Sequence, residues 1–366
     1  MLKRSFGVAA VTAAAALLLA ACSSGSDTAA SEDTAAAAAS GLACVILPDS
    51  ASSPRWENGD RPALKEALEA AGFTTDIQNA EGDTAKMLTI GDQMLASGCN
   101  VMIITDYQGA GAQVATKAKA QGVPTIAYDR PIEGVDYYVS FDNVTVGTLQ
   151  GEGIIKCLGD AGKDPKTAEL IFLDGDPTDG NAAMFAEGYD TALKAAGVEV
   201  DKAKLGAKRP DGTWDGAKAG TNFEQALTAN GGKVDAVVSA NDTNAASAIA
   251  ILDKNKLTVP VSGQDASKEG MNNVLSGKQC MTVFKDYLVE ASTAADLAIA
   301  ILKGETPTTN KQLADGTPFQ AADPQALYAD AASLEGFKAA LDRSGLTAAD
   351  VCTGAAAAKC TEIGLS

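Results

Sequence analysis

Short apolar runs alternate with amphipathic helical segments from Ala43 onward, and this rhythm restricts the chain to parallel βαβ architecture. ACVILP (43–48), FTTDIQNA (73–80), NVMIIT (100–105) and VPTIAYD (123–129) read as strands. Between them, segments 61–72, 83–98 and 111–122 carry helical spacing, the second with Asp83 as its N-cap. After DYYVSFDN (136–143) the rhythm repeats. Helices are expected at 146–159, 181–197, 243–255 and 267–277, and strands at 168–176, 234–242, 257–265 and 279–286. The chain therefore reads as two doubly wound α/β units in sequence. One long helix, 287–304, falls too late to fit the second unit and is expected to return to the first.

The N-terminus has a different character. Lys3 and Arg4 precede an apolar stretch to about Ala21, too short to span a bilayer, so residues 1–21 read as a signal peptide. Its end, LAAC followed by SSGS, resembles the lipobox of bacterial lipoproteins, which implies cleavage before Cys22 and lipidation of that thiol. Residues 22–41 are small and polar, a flexible tether. Loss of Lys3 and Arg4 takes the formal charge from −18 to −20. Such an acidic chain argues against nucleic acid or anionic lipid as partner, and contact with the membrane is expected only through the lipid. With Cys22 acylated, six cysteines remain, an even number in an exported chain. Cys352–Cys360 is the most direct pairing, across a small Ala-rich loop. Cys44–Cys99 on neighbouring strands and Cys157–Cys280 complete one set, and other pairings stay open.

The chain contains no histidine. That removes Ser-His-Asp and Cys-His catalysis and imidazole metal sites, while carboxylate-pair chemistry remains possible in principle. The strand-like runs end in polar residues, where open parallel sheets bind ligands. Candidates there are Asp129, Arg130, Asp179, Asn181, Asn241, Asp242, Gln264, Asp265 and Lys285. Asp142, Asn143 and Asp242 read better as hinge or helix-cap residues. Both tryptophans, Trp56 and Trp214, lie in comparable loops. Carboxylates and amides take hydroxyl protons, Arg and Lys supply them, and an indole packs on the C–H face of a pyranose, so the set suits a neutral polyhydroxylated ligand. DGDPTDG (174–180) is acid-rich but lacks EF-hand spacing, and neither metal nor cofactor is expected.

These stretches resemble, in order, the motifs of periplasmic sugar-binding proteins of the ribose-binding type, nearest the xylose-binding and multiple-sugar-binding branch. They are RW (55–56), IAYDR (126–130), YYVSFDNVTVGTLQ (137–150), DGDPTDGNAAMF (174–185), LTANGGKVDAVVSANDTNA (227–245), SGQDAS (262–267) and MTVFK (281–285). The resemblance implies a type I periplasmic binding protein: two α/β domains joined by three hinge strands, crossing near Asn143, near Lys285 and near residues 315–325. The domains would be 42–143 plus 286–320, and 144–285 plus 321–366. The implied sugar contacts are Arg55, Trp56, Asp129, Arg130, Asp179, Asn181, Trp214, Asn241, Asp265 and Lys285. The implied function is non-enzymatic. A monomeric lipoprotein on the outer face of the cell membrane would bind a monosaccharide, xylose first, and deliver it to an ABC transporter permease. A glycoside-acting Asp pair (Asp129 with Asp265), a sensory receptor of the same fold and a sugar-responsive repressor are the competing readings. The repressor conflicts with the export signal, the acidic charge and the lack of a helix-turn-helix.

Overall fold

The computed structural model describes residues 41–53 and 55–365. The signal peptide, Cys22 and the tether through residue 40 lie outside the described residues. In chain order the strands are β1 (Leu42–Leu47), β2 (Thr74–Asn79), β3 (Val101–Ile104), β4 (Thr125–Tyr128), β5 (Tyr137–Phe141), β6 (Leu170–Leu173), β7 (Ala236–Ser239), β8 (Met281–Phe284), β9 (Lys311–Gln312), β10 (Pro318–Ala322) and β11 (Gln325–Tyr328). The helices are α1 (Arg61–Ala70), α2 (Thr84–Ala96), α3 (Ala110–Ala120), α4 (Asn143–Asp160), α5 (Gly180–Ala195), α6 (Lys202–Leu205), α7 (Gly216–Ala229), α8 (Asp242–Lys254), α9 (Lys268–Leu275), α10 (Tyr287–Leu302), α11 (Leu334–Arg343), α12 (Ala348–Val351) and α13 (Ala356–Ile363). None of the described helices is long and apolar enough to cross a membrane.

The first sheet runs β2-β1-β3-β4-β5-β10-β9, parallel except for the β9–β10 pair at its edge. Its central strands are buried on both faces, as continuous apolar runs such as Val101–Ile104 require. Met87, Met94 and Val114 of α2 and α3 cover one face. Leu64 and Leu68 of α1 cover the other, together with Ala291, Ala294, Ala295 and Ala298 of α10. The late helix 287–304 thus returns to the first sheet. Its small residues let it lie close against the strands.

The second sheet is built from β6–β7 and β8–β11. The segment expected as a strand at 257–265 is only a pair of isolated bridges, Val237 with Val261 and Gln264 with Val283. Pro260 offers a carbonyl to Val237 but no N–H, so the ladder breaks there although the segment still joins β7 to β8. Helices α4 and α5 pack on one face of this sheet, and α7 and α8 on the other. Neither α7 nor the tail helices α11–α13 are among the helices expected from the sequence. The tail packs on α9 through Phe337, Val351, Cys360 and Met271.

The chain passes between the two sheets three times: from β5 to α4 at 142–143, from β8 to α10 at 285–286, and from β10 to β11 at 323–324. The disulfides are Cys44–Cys99, Cys157–Cys280 and Cys352–Cys360, with Cα separations of 6.0, 6.4 and 5.9 Å. Each closes a loop on one side of the crossings, so none ties one sheet's layer to the other.

Helices α4 and α5 cross at backbone contact. A Cβ on Gly147 would overlap the Phe185 carbonyl, and one on Gly188 the Val144 carbonyl. Because α5 presents Asn181 and Phe185 to the cleft, and Asn143 of α4 donates to Asn181 from behind, this crossing sets the site. Gly147→Ala should destabilise the protein by about 2 kcal/mol, as overpacked cores do, and should also weaken ligand binding. Thermal unfolding with and without ligand checks both; an unchanged Tm would contradict the close-packing account.

Candidate functional site

The carboxyl ends of both sheets face a common cleft. β4 ends at Tyr128, and Asp129 then takes a left-handed backbone (φ 62°), which turns its side chain off the strand line into the cleft. Three side chains hold that turn by donating to the Asp129 carbonyl: Tyr138 Oη at 2.8 Å, Ser140 Oγ at 2.9 Å and Asn181 Nδ2 at 2.8 Å. Asn181 comes from the second sheet's layer, so this contact spans the cleft. Asp265 likewise has a positive φ of 102°, at the end of the irregular segment before α9.

The ten residues expected to contact ligand all line one cavity of about 40 Å³: Arg55, Trp56, Asp129, Arg130, Asp179, Asn181, Trp214, Asn241, Asp265 and Lys285. Ser52, Ser53, Phe185 and Gln264 complete its wall. Gln264 stands at a strand end, but the resemblance does not mark it as a contact. Ser52 and Ser53 carry no sequence signal, and Phe185 reads as ordinary helix core. A wider chamber of about 530 Å³ lies outside, sharing Ser52, Arg130, Asp179 and Trp214 with the inner cavity.

Charge in the inner cavity is internally balanced, three cations against three carboxylates. Arg55 Nη1 lies 3.1 Å from Asp129 Oδ2, and Lys285 Nζ lies 3.9 Å from the same oxygen and 3.7 Å from Asp265 Oδ1. Arg130 Nε reaches across the cleft to Asp179 Oδ2 at 3.2 Å. Burial acts to raise the Asp129 pKa, but Arg55, Lys285 and Arg130 outweigh it and hold the carboxyl below its usual range. Burial wins at Asp179 and Asp265, whose pKa values are raised against the pull of Arg130 and Lys285 respectively. Asp129 Oδ2 and Gln264 Oε1 are buried acceptors without a hydrogen-bond partner among the described residues; the Arg55 approach to Asp129 Oδ2 is an ion pair without hydrogen-bond alignment.

The indoles are fixed by their own hydrogen bonds. Trp214 Nε1 donates to Asp179 Oδ2 at 3.0 Å, and its ring lies on Gly175, where any Cβ would overlap it. Trp56 Nε1 donates to Ser52 Oγ at 3.0 Å, with the Arg55 guanidinium 4.5 Å from its ring centre. Asp142 caps α4 by accepting from Thr145 N. Asn241, not Asp242, caps α8, accepting from Asn244 N. Asp242 is instead buried and accepts from Gln279, Thr282 and Ser267 N, so the capping role expected for it is corrected. Asn241 therefore has its Nδ2 left to offer.

Two further acids stand behind the cavity: Asp60, the last residue of a single π-helical turn (Trp56–Asp60), and Glu290 on α10. Both engage Arg55. The sequence signal was an acid inside an apolar helix, YLVEASTAADLAIAIL, but nothing in it named the partner.

The sequence profile of the periplasmic binding protein domain matches residues 44–306. The D-xylose-binding periplasmic protein of Escherichia coli (strain K12) is 34% identical over 274 residues, 73% of this chain and 80% of that protein. The multiple sugar-binding periplasmic receptor ChvE of Rhizobium radiobacter is 33% identical over 289 residues, 73% of this chain and 79% of the relative. Among solved structures, an ABC transporter solute binding protein from Clostridium phytofermentans with bound β-D-glucose matches at a TM-score of 0.68 and 30% identity, covering 78% of this chain and 93% of that one. A carbohydrate transporter solute binding protein from Chloroflexus aurantiacus in complex with D-glucose matches at 0.71 and 27% identity, covering 85% and 98%.

Burial raises the Glu290 carboxyl to about 8, with Arg55 opposing and Asp129 and Asp60 adding like charge. Burial, with Asp265 adding, raises Asp242 to about 7. Folded protein therefore keeps protons that the unfolded chain has lost above the ordinary carboxylate range. Stability then falls as pH rises from about 5, and the loss levels off above about 8. Between about pH 7 and 8 Glu290 carries most of the slope and Asp242 adds to it, each at most about 1.4 kcal/mol per unit. Tm measured across this range should decline in the native protein and decline less steeply between 7 and 8 in Glu290→Gln; equal slopes would contradict the assignment.

Proposed function

The chain belongs to the periplasmic binding protein family, whose members are solute receptors and not enzymes, and from that premise we propose that it binds a neutral monosaccharide in the Asp129 cavity for an ABC importer. D-xylose is the first candidate and D-glucose the second, since relatives and structural neighbours at 27–34% identity bind these sugars by name. The observation that carries the reading is a buried acceptor in the cavity wall without a donor among the described residues, Gln264 Oε1, beside Asp129 Oδ2, which has ion pairs but no aligned hydrogen bond. A buried acceptor without a donor is costly, and a sugar hydroxyl supplies the donor. The balanced charge points the same way. A charged ligand would have to displace a partner from Asp129, Asp179 or Asp265, whereas hydroxyls insert between the paired groups.

The three crossings at 142–143, 285–286 and 323–324 serve as the hinge. Closure brings Arg130 and Asn181 across the cleft onto Asp179 and Asp129, and sugar favours the closed form by contacting both sides at once. Among the described residues no disulfide spans the crossings, which leaves this motion free.

Calorimetric titration with xylose, glucose, arabinose, galactose and ribose tests the ligand. One of them should bind with a Kd of about 1 μM or tighter, and Asp129→Ala should abolish the heat. No heat from any would sink the monosaccharide reading.

The LAAC sequence at 19–22 supports anchoring through an acylated Cys22 at the outer membrane face. Cys22→Ser should move the protein from the membrane fraction to the soluble fraction without altering sugar affinity; an unchanged distribution would contradict the anchor.

A further inference from the structure

Arg55 is the cavity's most constrained cation. Its Nε and Nη2 each lie 2.9 Å from an oxygen of Asp60, a bidentate pair, and Nη2 also lies 2.5 Å from Glu290 Oε2. Tyr128 Oη donates to the same Asp60 carboxyl, which fixes it in turn. Only Nη1 faces Asp129 and the ligand space. Glu290 has no exposed surface, and its second oxygen, Oε1, has no hydrogen-bond partner among the described residues. Its carboxyl is thus devoted to Arg55 and to nothing else described. It sits in the first turns of α10, five residues beyond Lys285 and just past the 285–286 crossing. The same turn carries Tyr287, whose ring centre lies 5.8 Å from the Arg55 guanidinium and whose hydroxyl donates to the Arg343 carbonyl at the end of α11.

We propose that Glu290 is a positioning residue for the sugar. It acts as the second jaw of a clamp with Asp60 that fixes the Arg55 guanidinium, so that Nη1 alone is presented to the ligand, and it links that clamp to the crossing through which the cleft closes. An arginine free to rotate would spend conformational entropy on each binding event; a clamped one has already lost it. Glu290 need not touch the ligand to set affinity. The proposal rests on the sugar-receptor reading of the Asp129 cavity.

Three variants separate clamping from mere packing. Glu290→Gln keeps an acceptor for Nη2, Glu290→Leu fills the volume without one, and Glu290→Ala removes both. Each is titrated beside the native protein with the sugar that the native protein binds, after thermal unfolding has shown a folded chain. Glu290→Gln should bind within about threefold of native, while the Leu and Ala variants should weaken binding about tenfold or more. In an Arg55→Lys background, where no fork remains to clamp, Glu290→Leu should add less than about twofold. Native-like binding in the Leu variant, an equal loss in Gln and Leu, or a full additive loss in the Arg55→Lys background would overturn the proposal. A readout free of ligand runs in parallel. The Arg55 Nη protons should give resolved NMR signals in native and Gln proteins and averaged ones in Leu, because the clamp blocks rotation about Cζ–N; identical spectra would also overturn it. If the native protein takes up no sugar, the receptor reading fails and the NMR comparison still decides the clamp.

Discussion

Asp129 is a buried carboxylate at the end of a central parallel strand, and the fold tolerates it only because Arg55, Lys285 and Arg130 converge on it from three segments. An isolated charge at that depth would take up a proton. The cations arrive by different routes. Arg130 follows directly in the chain, Arg55 comes from the loop after β1, and Lys285 from the end of β8 at a crossing. The charge centre therefore depends on both sheets being formed and apposed. Asn181, donating to the Asp129 carbonyl from α5, makes the same demand on the backbone side.

In the proposed sugar receptor, specificity would follow from this compensation. Buried ion pairs add little net stability, because desolvation offsets their attraction. Their use here is to supply fixed donors and acceptors in a site from which water is largely excluded. A ligand lacking one hydroxyl would leave a buried group such as Gln264 Oε1 unpaired, which discriminates more strongly than a change in apolar volume. The indoles contribute differently. Trp214 is locked by Asp179 and by its seat on Gly175, so it offers a rigid face at small entropic expense.

Much of the fold was legible because its signals are local. Short apolar runs such as LIFL and AVV, alternating with helical segments, signal strands buried on both faces of a parallel sheet, and Asp83, Asp142 and Asp179 announce helix starts within a few residues. The cavity residues were legible as strand-end polar groups in a chain without histidine, and as motifs shared with a family. What escaped the reading depends on distance. Glu290 meets Arg55 across 235 residues, so its role exists only in three dimensions. Asp242 and Asn241 were exchanged as helix cap because both types cap well; burial among Gln279, Thr282 and Ser267 decided between them. Segment 257–265 alternates like a strand, yet Pro260 interrupts its ladder.

The covalent staples and the charge network divide the mechanical work. Each disulfide closes its loop within one side of the cleft, so it stabilises a layer without restraining rotation. Contacts across the cleft are of the opposite kind: Arg130 with Asp179, Asn181 with Asp129, and Lys285 between Asp129 and Asp265. Such polar contacts can be exchanged for water when the cleft opens, at a net change of about 1 kcal/mol each, whereas an apolar seam would have to be exposed. Under the proposed hinge closure the receptor opens as well as closes, and a seam made of exchangeable polar pairs would keep the two forms within the few kcal/mol that a bound sugar can tip.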